Sequence, residues 1–339
     1  MIFFKYSYSF SHPLFRNELN FNLVFCPVLR AKGYLSPSSF NSCDLNPAIA
    51  FKKSYSETLE RLTLFSLTTA NSKYIKAFDL ISKKEVLVKN SDIGYSSKKG
   101  KSSDSTGTAS LPQSSGLVEK GIFELIEKNE LFLFWYGGWG KALINPPMDK
   151  TAIITAQTLK NINIDFKFII LKDFGKLIKT VICLLFDQKK TFIGAGISGN
   201  TSLEKATSDS ISEALNLYCS NLEFFSKEQE RIEKSTSYVQ QIYPTDKFDV
   251  QNNTEINKVG SYTLDQIVAS LPRWIENLDL VLLQDIDNTF STKTIKVFSD
   301  NIINSLPLKE YIDIDKSINI HTLKLNEEKL AETPNLTIA

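Results

Sequence analysis

The chain has 339 residues, of which 42% are hydrophobic and 23% charged, a composition typical of a folded globular protein. Lys and Arg number 39 against 38 Asp and Glu, so the formal net charge is +1. A chain this close to neutral has no overall field that would draw it to nucleic acid or to an anionic membrane surface. We therefore expect neither as a partner. We expect a cytoplasmic protein, because the amino terminus MIFFKYSYSF reaches a lysine before an apolar signal core forms.

Cysteine and histidine usage argues against several kinds of site. The four cysteines, at positions 26, 43, 183 and 219, lie far apart and form no C-x-x-C pair, which argues against a zinc site. The two histidines, His12 and His321, lie near opposite ends, which argues against a central histidine base or a histidine-rich metal site. Any chemistry is therefore expected to use carboxylates, cations and hydroxyls.

The first half of the chain predicts two long helices and a hairpin. Asn46 followed by Pro47 is a favourable helix start, and apolar residues continue at helical spacing to about Leu67. Residues 74–89 predict a β-hairpin, and a second helix is predicted over 114–135. Between them, residues 91–106 offer almost nothing to bury, so a mobile loop is expected there.

The second half alternates helices with apolar strands. The predicted segments, in chain order, are a helix at 151–161, strands at 166–171 and 177–186, a strand end and turn at 191–200, a helix at 202–224, a partly helical stretch at 226–260, two strands within 272–299 and a tail at 315–339. No composition break divides the chain. We therefore expect one α+β unit over residues 1–339, with a core at about 36–300 and mixed sheets packed with helices.

Three predicted helices repeat one pattern, an acid followed three residues later by a second side-chain oxygen. The first contains Glu57, Glu60 and Arg61, the second Glu124, Glu127 and Lys128, and the third Glu213 and Asn216. Residues three apart share one helical face, so each pair of oxygens would point the same way.

The second of these helices indicates a functional site. Its apolar neighbours predict partial burial of Glu124, and carboxylates resist burial unless they are paired or bound to a cation. Two such helices facing each other would form a four-carboxylate cage suited to Mg²⁺ and, through it, to polyphosphate. The alternative is an ordinary exposed helix with internal ion pairs, since E-x-x-E-[RK] is typical of both.

Flanking residues favour the first alternative, because they resemble the YcaO superfamily. D-S-T-G-T-A-S at 104–110, followed by G-I-F-E-L-I-E-K at 121–128, resembles that family's D-S-x-G-x-A segment and its E-x-x-E-R helix. The stretch from Asn46 to Arg61 is similar to the family's first E-x-x-E-R helix. G-A-G-I-S-G-N at 194–200, leading to S-E-A-L at 212–215, resembles its third stretch.

The resemblance implies an ATP- and Mg²⁺-dependent cyclodehydratase of the short, microcin-type class. Such an enzyme has a central ATP/Mg²⁺ cleft. It activates a backbone amide of a ribosomally made precursor peptide, so that a Cys, Ser or Thr side chain closes a thiazoline or oxazoline ring. The implied partners are the precursor peptide, a ubiquitin-activating-like protein that binds its leader, a flavin dehydrogenase and further copies or subunits in an oligomer.

The resemblance also implies site residues. Glu57, Glu60, Glu124 and Glu127 would hold Mg²⁺. The nucleotide would be bound by these four glutamates together with Arg61, Ser105, Lys128 and Glu213.

Several positions depart from the family pattern. Pro112 and Gly116 stand where the family has an asparagine and a glutamate, and Asp209 replaces an arginine. Lys128 replaces another arginine and gives up its bidentate geometry. Two hypotheses remain open, an active, divergent cyclodehydratase and a partly degenerate, non-catalytic subunit that acts as a scaffold or binds peptide.

Overall fold

A computed structural model describes most of the chain. The described residues are 6–11, 19–26, 28–31, 34–36, 38–69, 72–111, 116–172, 174–220, 229–251, 262–283 and 292–336. They form two compact units. Unit 1 holds the described residues of Met1–His12, Leu19–Lys128 and Arg273–His321, and unit 2 holds those of Asn129–Pro272 and Thr322–Ala339. The expected single unit over residues 1–339 stays a prediction.

The elements alternate as an α+β chain, which confirms the predicted class. The described strands are β1 (Tyr6–Ser11), β2 (Asn20–Phe25), β3 (Arg30–Ala31), β4 (Tyr34–Leu35), β5 (Ser39–Asp44), β6 (Tyr74–Asp79), β7 (Lys84–Lys89), β8 (Thr108–Leu111), β9 (Lys141–Ile144), β10 (Asp165–Leu171), β11 (Lys179–Phe186), β12 (Phe192–Asn200), β13 (Lys247–Asp249), β14 (Asp279–Leu283) and β15 (Lys293–Phe298). The described helices are α1 (Pro47–Thr69), α2 (Asn90–Ile93), α3 (Leu117–Gly137), α4 (Lys150–Asn161), α5 (Leu203–Ser220), α6 (Gln229–Ile242), α7 (Leu264–Ala269), α8 (Ser317–His321) and α9 (Glu327–Glu332).

Unit 1 is built around α1. A sheet in the order β1-β2-β5 and a second sheet in the order β7-β6-β14-β15-β8 are both antiparallel. Helix α1 contacts β2 and β5 of the first sheet and β8, β14 and β15 of the second. Leu62 on one side of α1 packs with Val24 and Phe40, and Leu64 packs with Ile93 and Val281. Burial on two sides fixes the orientation of α1, and with it the direction of its glutamates.

Unit 2 has one sheet in the order β12-β11-β10-β9-β13, antiparallel except for β13 against β9. Helix α5 packs on β12 and β11, and α4 packs on α5 and β10. Gly196 permits the close approach of α5, because a Cβ there would collide with the backbone of Ser210 and Ala214. The glycine-rich stretch of 194–199 therefore allows α5 to pack closely against β12.

Two segments bury more side chains than the sequence indicated. Residues 91–106, expected to have almost nothing to bury, include the end of α2 and bury Ile93 and Ser103. The tail at 315–339 contains α8 and α9 and buries Ile318 and Leu330. In both segments a few apolar residues separated by polar ones are buried, which a window average of composition hides. Among the described residues, no helix combines the length and the apolar content that a membrane crossing needs.

Candidate functional site

The four predicted metal ligands lie on two helices of unit 1. Glu57 and Glu60 lie on α1, and Glu124 and Glu127 lie on the part of α3 that belongs to unit 1. The helices meet where Lys120 Nζ of α3 lies 2.7 Å from Glu60 Oε1 of α1. The structure thus brings together seven side chains, which we call the glutamate cluster: Glu57, Glu60, Arg61, Lys120, Glu124, Glu127 and Lys128.

Three of the four glutamates already have a cation of this chain. Arg61 Nη2 lies 2.7 Å from Glu57 Oε1, and Lys128 Nζ lies 2.9 Å from Glu127 Oε1. Glu60 Oε1 accepts from Lys120 Nζ at 2.7 Å and from the backbone N–H of Ser110 at 2.9 Å. The cluster is therefore partly neutralised from within.

Glu124 is the exception. It is half-buried, and it forms no hydrogen bond or ion pair with any residue that the structure describes. Burial, followed by the charges of Glu60 and Glu127, holds its pKa well above the ordinary value, and Lys128 and Lys120 only partly oppose this. When Glu124 is ionised, it carries negative charge that the cluster does not compensate, and binding of a cation favours that ionised form.

Part of the cluster is exposed to solvent. The side chains of Glu57, Arg61 and Lys120 are 31%, 38% and 45% exposed, so each can meet a ligand. Burial is nevertheless the largest influence on each pKa. It raises that of Glu57, whereas for Arg61 and Lys120 it acts to lower the pKa but is outweighed, chiefly by Glu57 and Glu60 respectively. Partial exposure together with strong desolvation is typical of side chains in a concave site.

The D-S-T-G segment forms a fixed turn just before β8. The Asp104 carboxylate accepts from the backbone N–H groups of Thr106 at 2.7 Å and Leu306 at 2.8 Å. Gly107 has φ +77°, and a Cβ there would collide with the carbonyl oxygen of Val297. Asp104 and Gly107 are therefore needed for the turn itself, and Ser105 lies half-buried between them.

Two lysines of the site were missed by the sequence analysis. Lys296 on β15 is fully buried and donates to the carbonyl oxygens of Asp104 and Thr106, the latter at 3.0 Å. Burial lowers the pKa of Lys296 to about 8, although Asp104 and Glu124 act to raise it. The sequence signal for a buried Lys296 was its position among the apolar residues of a predicted strand. For Lys120, the signal was its place one helical turn before Glu124.

The third acidic helix is used differently. Glu213 lies on α5 in unit 2, where its Oε2 accepts from the backbone N–H of Ile197 on β12 at 3.1 Å. Asp209, which stands in place of an arginine, forms an ion pair with Lys205 of its own helix at 2.6 Å. Of the other departures, Gly116 is exposed just before α3, and Pro112 lies outside the described residues.

The donor set of the cluster suits Mg²⁺ and a nucleotide chemically. Carboxylate oxygens are the ligands that Mg²⁺ prefers, Glu124 is available, and the exposed cations Arg61 and Lys120 suit phosphate. In the geometry of the described residues, no three acidic, histidine or cysteine side chains are arranged around one metal position. Binding would therefore require side-chain rotation within the cluster.

Three solved structures share the fold. YcaO from Methanopyrus kandleri, bound with AMPPCP and Mg²⁺, matches with a TM-score of 0.65 at 12% identity, over 88% of this chain and 86% of that one. The E. coli microcin synthetase McbBCD complex with pro-MccB17 bound gives 0.68 at 14% identity, over 97% and 96%. A heterocyclase in complex with substrate and cofactor gives 0.63 at 10% identity, over 97% and 54%. At these identities the likeness shows a common fold.

The sequence itself identifies the family. No curated protein matches it. Residues 28–254 match the family model described as YcaO cyclodehydratase, ATP- and Mg²⁺-binding. That match covers more than half of the chain and includes α1, the Asp104–Gly107 turn, α3 and α5. The predicted family resemblance is thereby confirmed, and the chain belongs to the YcaO family.

Proposed function

We propose that this chain uses ATP and Mg²⁺ to modify a ribosomally made precursor peptide, cyclodehydrating Cys, Ser or Thr to thiazoline or oxazoline. The observation that carries the proposal is Glu124, a half-buried carboxylate without an ion pair among the described residues, at the centre of a glutamate cluster in a YcaO chain. An uncompensated carboxylate is unfavourable unless a cation joins it.

In this proposal the cluster positions the reactants. Glu57, Glu60, Glu124 and Glu127 would hold Mg²⁺, while Arg61, Lys120 and Lys128 would turn toward phosphate oxygens. Bound ATP supplies the phosphoryl group that makes the former amide oxygen a leaving group. The peptide brings its own nucleophile, which agrees with a chain that has only two histidines. The protein's contribution is then orientation and charge stabilisation. Ser105, on its fixed turn, and Glu213 remain proposed nucleotide contacts.

The proposed partners follow from the same family. One relative of this fold is a synthetase complex with pro-MccB17 bound, and another is a heterocyclase with substrate and cofactor. We propose a precursor peptide, a ubiquitin-activating-like protein that binds its leader, and a flavin dehydrogenase, assembled with this chain in the cytoplasm.

Calorimetric titration of Mg²⁺–ATP into the purified chain tests the nucleotide site directly. A reconstituted complex tests the reaction, since each azoline formed costs the precursor one water, which mass spectrometry detects. Replacing Glu124 and Glu127 together by Gln should abolish the loss of water while folding and assembly survive. Glu119→Gln, which removes an acid from the first turn of the same helix outside the cluster, should leave the reaction unchanged.

A second candidate function is a non-catalytic subunit of such a complex. The specific observation in its favour is that Arg61, Lys120 and Lys128 already pair with three of the four glutamates. In that case the precursor is modified at the wild-type rate in the complex with the double Gln variant. The catalytic proposal is abandoned on that result.

A further inference from the structure

Lys120 differs from the other cations of the glutamate cluster in the way it pairs. Arg61 and Lys128 each pair with a glutamate of their own helix. Lys120 reaches from α3 to Glu60 on α1, with 2.7 Å between Nζ and Oε1. Among the cluster ion pairs of the described residues, this is the pair that joins the two helices.

The charge of Lys120 acts on three predicted Mg²⁺ ligands at once. Burial raises the pKa of Glu57 and of Glu124, and Lys120 acts against this rise; the two carboxylates, together with Glu60, in turn act to raise the pKa of Lys120. One ammonium group therefore sits where the fields of the three carboxylates overlap. A cation bound by those carboxylates would occupy the same region.

An ammonium group and a divalent cation at one place exclude each other, both by contact and by repulsion. Nucleotide phosphates change this balance, because they offer an exposed lysine an alternative anionic partner. The side chain of Lys120 is 45% exposed, so it is free to turn away from Glu60.

We propose that Lys120 is a resident counter-cation, which keeps divalent cations out of the empty cluster and makes their tight binding depend on nucleotide. The inference rests on the proposed ATP site and adds a regulatory role for one residue of it. Without nucleotide, Lys120 stays on Glu60 and the cluster has little affinity for Mg²⁺. With nucleotide, the ammonium moves to a phosphate oxygen and frees Glu60 for the metal.

The test measures binding of Mn²⁺, as an EPR-visible substitute for Mg²⁺, to the full chain without nucleotide. Lys120→Met should strengthen this binding at least about tenfold, a change of 1.4 kcal/mol. Lys52→Met is the matched control, since it removes an exposed lysine from α1 outside the cluster, and it should leave the Mn²⁺ affinity at the wild-type value. Lys120→Arg keeps the charge and should also bind Mn²⁺ weakly.

Thermal unfolding gives a second readout. Mn²⁺ should raise the melting temperature of Lys120→Met more than that of the wild type, because at a given Mn²⁺ concentration a ligand stabilises the folded state more when its dissociation constant is lower. Lys120→Gln carries the same test with a polar side chain if the Met variant does not fold.

Equal nucleotide-free Mn²⁺ affinity in the wild type and in the folded Lys120→Met or Lys120→Gln variant would overturn the inference. Failure of the proposed function is a separate result. It would appear as no binding of Mg²⁺–ATP to the wild-type chain, whereas the decisive Lys120 measurement contains no nucleotide.

Discussion

Helices α3 and α5 carry similar acidic sequence motifs and use them in opposite ways. On α3, Glu124 faces the carboxylates of Glu60 and Glu127 and has no ion pair with a described residue. On α5, Glu213 accepts a hydrogen bond from the backbone N–H of Ile197. The difference lies in what each helix packs against. Glu60 of α1 and Glu127 of α3 itself place negative charge near Glu124, whereas Glu213 meets a strand that offers an N–H donor.

The spacing of residues on a helix therefore determines which face an acid lies on, but the role of the acid depends on what that face contacts. A carboxylate bound by a backbone N–H is stabilised within the protein and ties α5 to β12. A carboxylate beside other carboxylates is destabilised, and a ligand can offset that energy.

The largest change in stability is expected where α5 packs against Gly196 of β12. Gly196→Ala should lower the free energy of unfolding by about 3 kcal/mol, because the new Cβ collides with the α5 backbone at Ser210 and Ala214. Urea denaturation measures it. Gly175→Ala is the control, since a Cβ there meets Leu271 at an ordinary 3.5 Å, and it should change stability by less than about 0.5 kcal/mol. If both variants changed the free energy of unfolding equally, close packing of α5 on Gly196 would be refuted.

The buried lysine beside the cluster predicts a pH dependence. The pKa of Lys296 falls from 10.5 to about 8 in the folded protein. Between these values the unfolded chain binds more protons than the folded one, so stability rises with pH across that window and is lowest below pH 8. From pH 8 to pH 10, the wild type should gain about 2 kcal/mol relative to Lys296→Met.

Denaturant unfolding at several pH values measures this gain. Lys293→Met, an exposed lysine on the same strand, should follow the wild-type curve. A constant difference between wild type and Lys296→Met over pH 8–10 would show that Lys296 keeps an ordinary pKa.

Neutralising the two acids should change stability in opposite directions. At neutral pH and without metal, Glu124→Gln should stabilise the chain by about 1 kcal/mol, because an uncompensated charge is removed. Glu213→Gln should destabilise it by about 1 kcal/mol, because a neutral acceptor replaces a charged one at Ile197. The Glu124→Gln advantage should shrink on acidification, as protonation of the raised-pKa carboxyl relieves the wild type. Chemical denaturation measures both, and changes of the same sign would refute the contrast.

The smallest effects concern the ion pairs along each helix. Asp209→Asn breaks an exposed i,i+4 pair with Lys205 and should cost about 0.3 kcal/mol. Arg61→Gln breaks the Glu57 pair in the more enclosed cluster and should cost about 1 kcal/mol. High salt should reduce the stability loss of Asp209→Asn more than that of Arg61→Gln, because salt screens exposed charges more strongly. Thermal unfolding at two salt concentrations measures both losses. A larger loss of stability in Asp209→Asn than in Arg61→Gln would contradict the prediction.

Local signals predicted most of the elements. Asn46 and Pro47 begin α1 as expected, with Ala48 N–H donating to Asn46 Oδ1 at 2.9 Å. The hairpin at 74–89 is present as β6 and β7, with Lys83 at φ +59° in its turn. The helix start and the hairpin turn depend on residues that are neighbours in the sequence, so the sequence alone predicts them. Ile93 packs on Leu64 and Val281, and Ser103 forms a bridge with Asn304, and composition does not reveal such distant partners.

The sequence alone is enough to assign the acids to their helices and to identify the glycine and the aspartate that shape the Asp104–Gly107 turn. Spacing along a helix and backbone geometry at a glycine are local properties. The folded structure was needed to show that Lys120 pairs with Glu60 of the other helix, that Lys296 donates to the carbonyls of the turn, and that Glu213 binds a strand. Charge interactions depend on separation in space, and residues far apart in sequence become neighbours only when the helices and sheets pack.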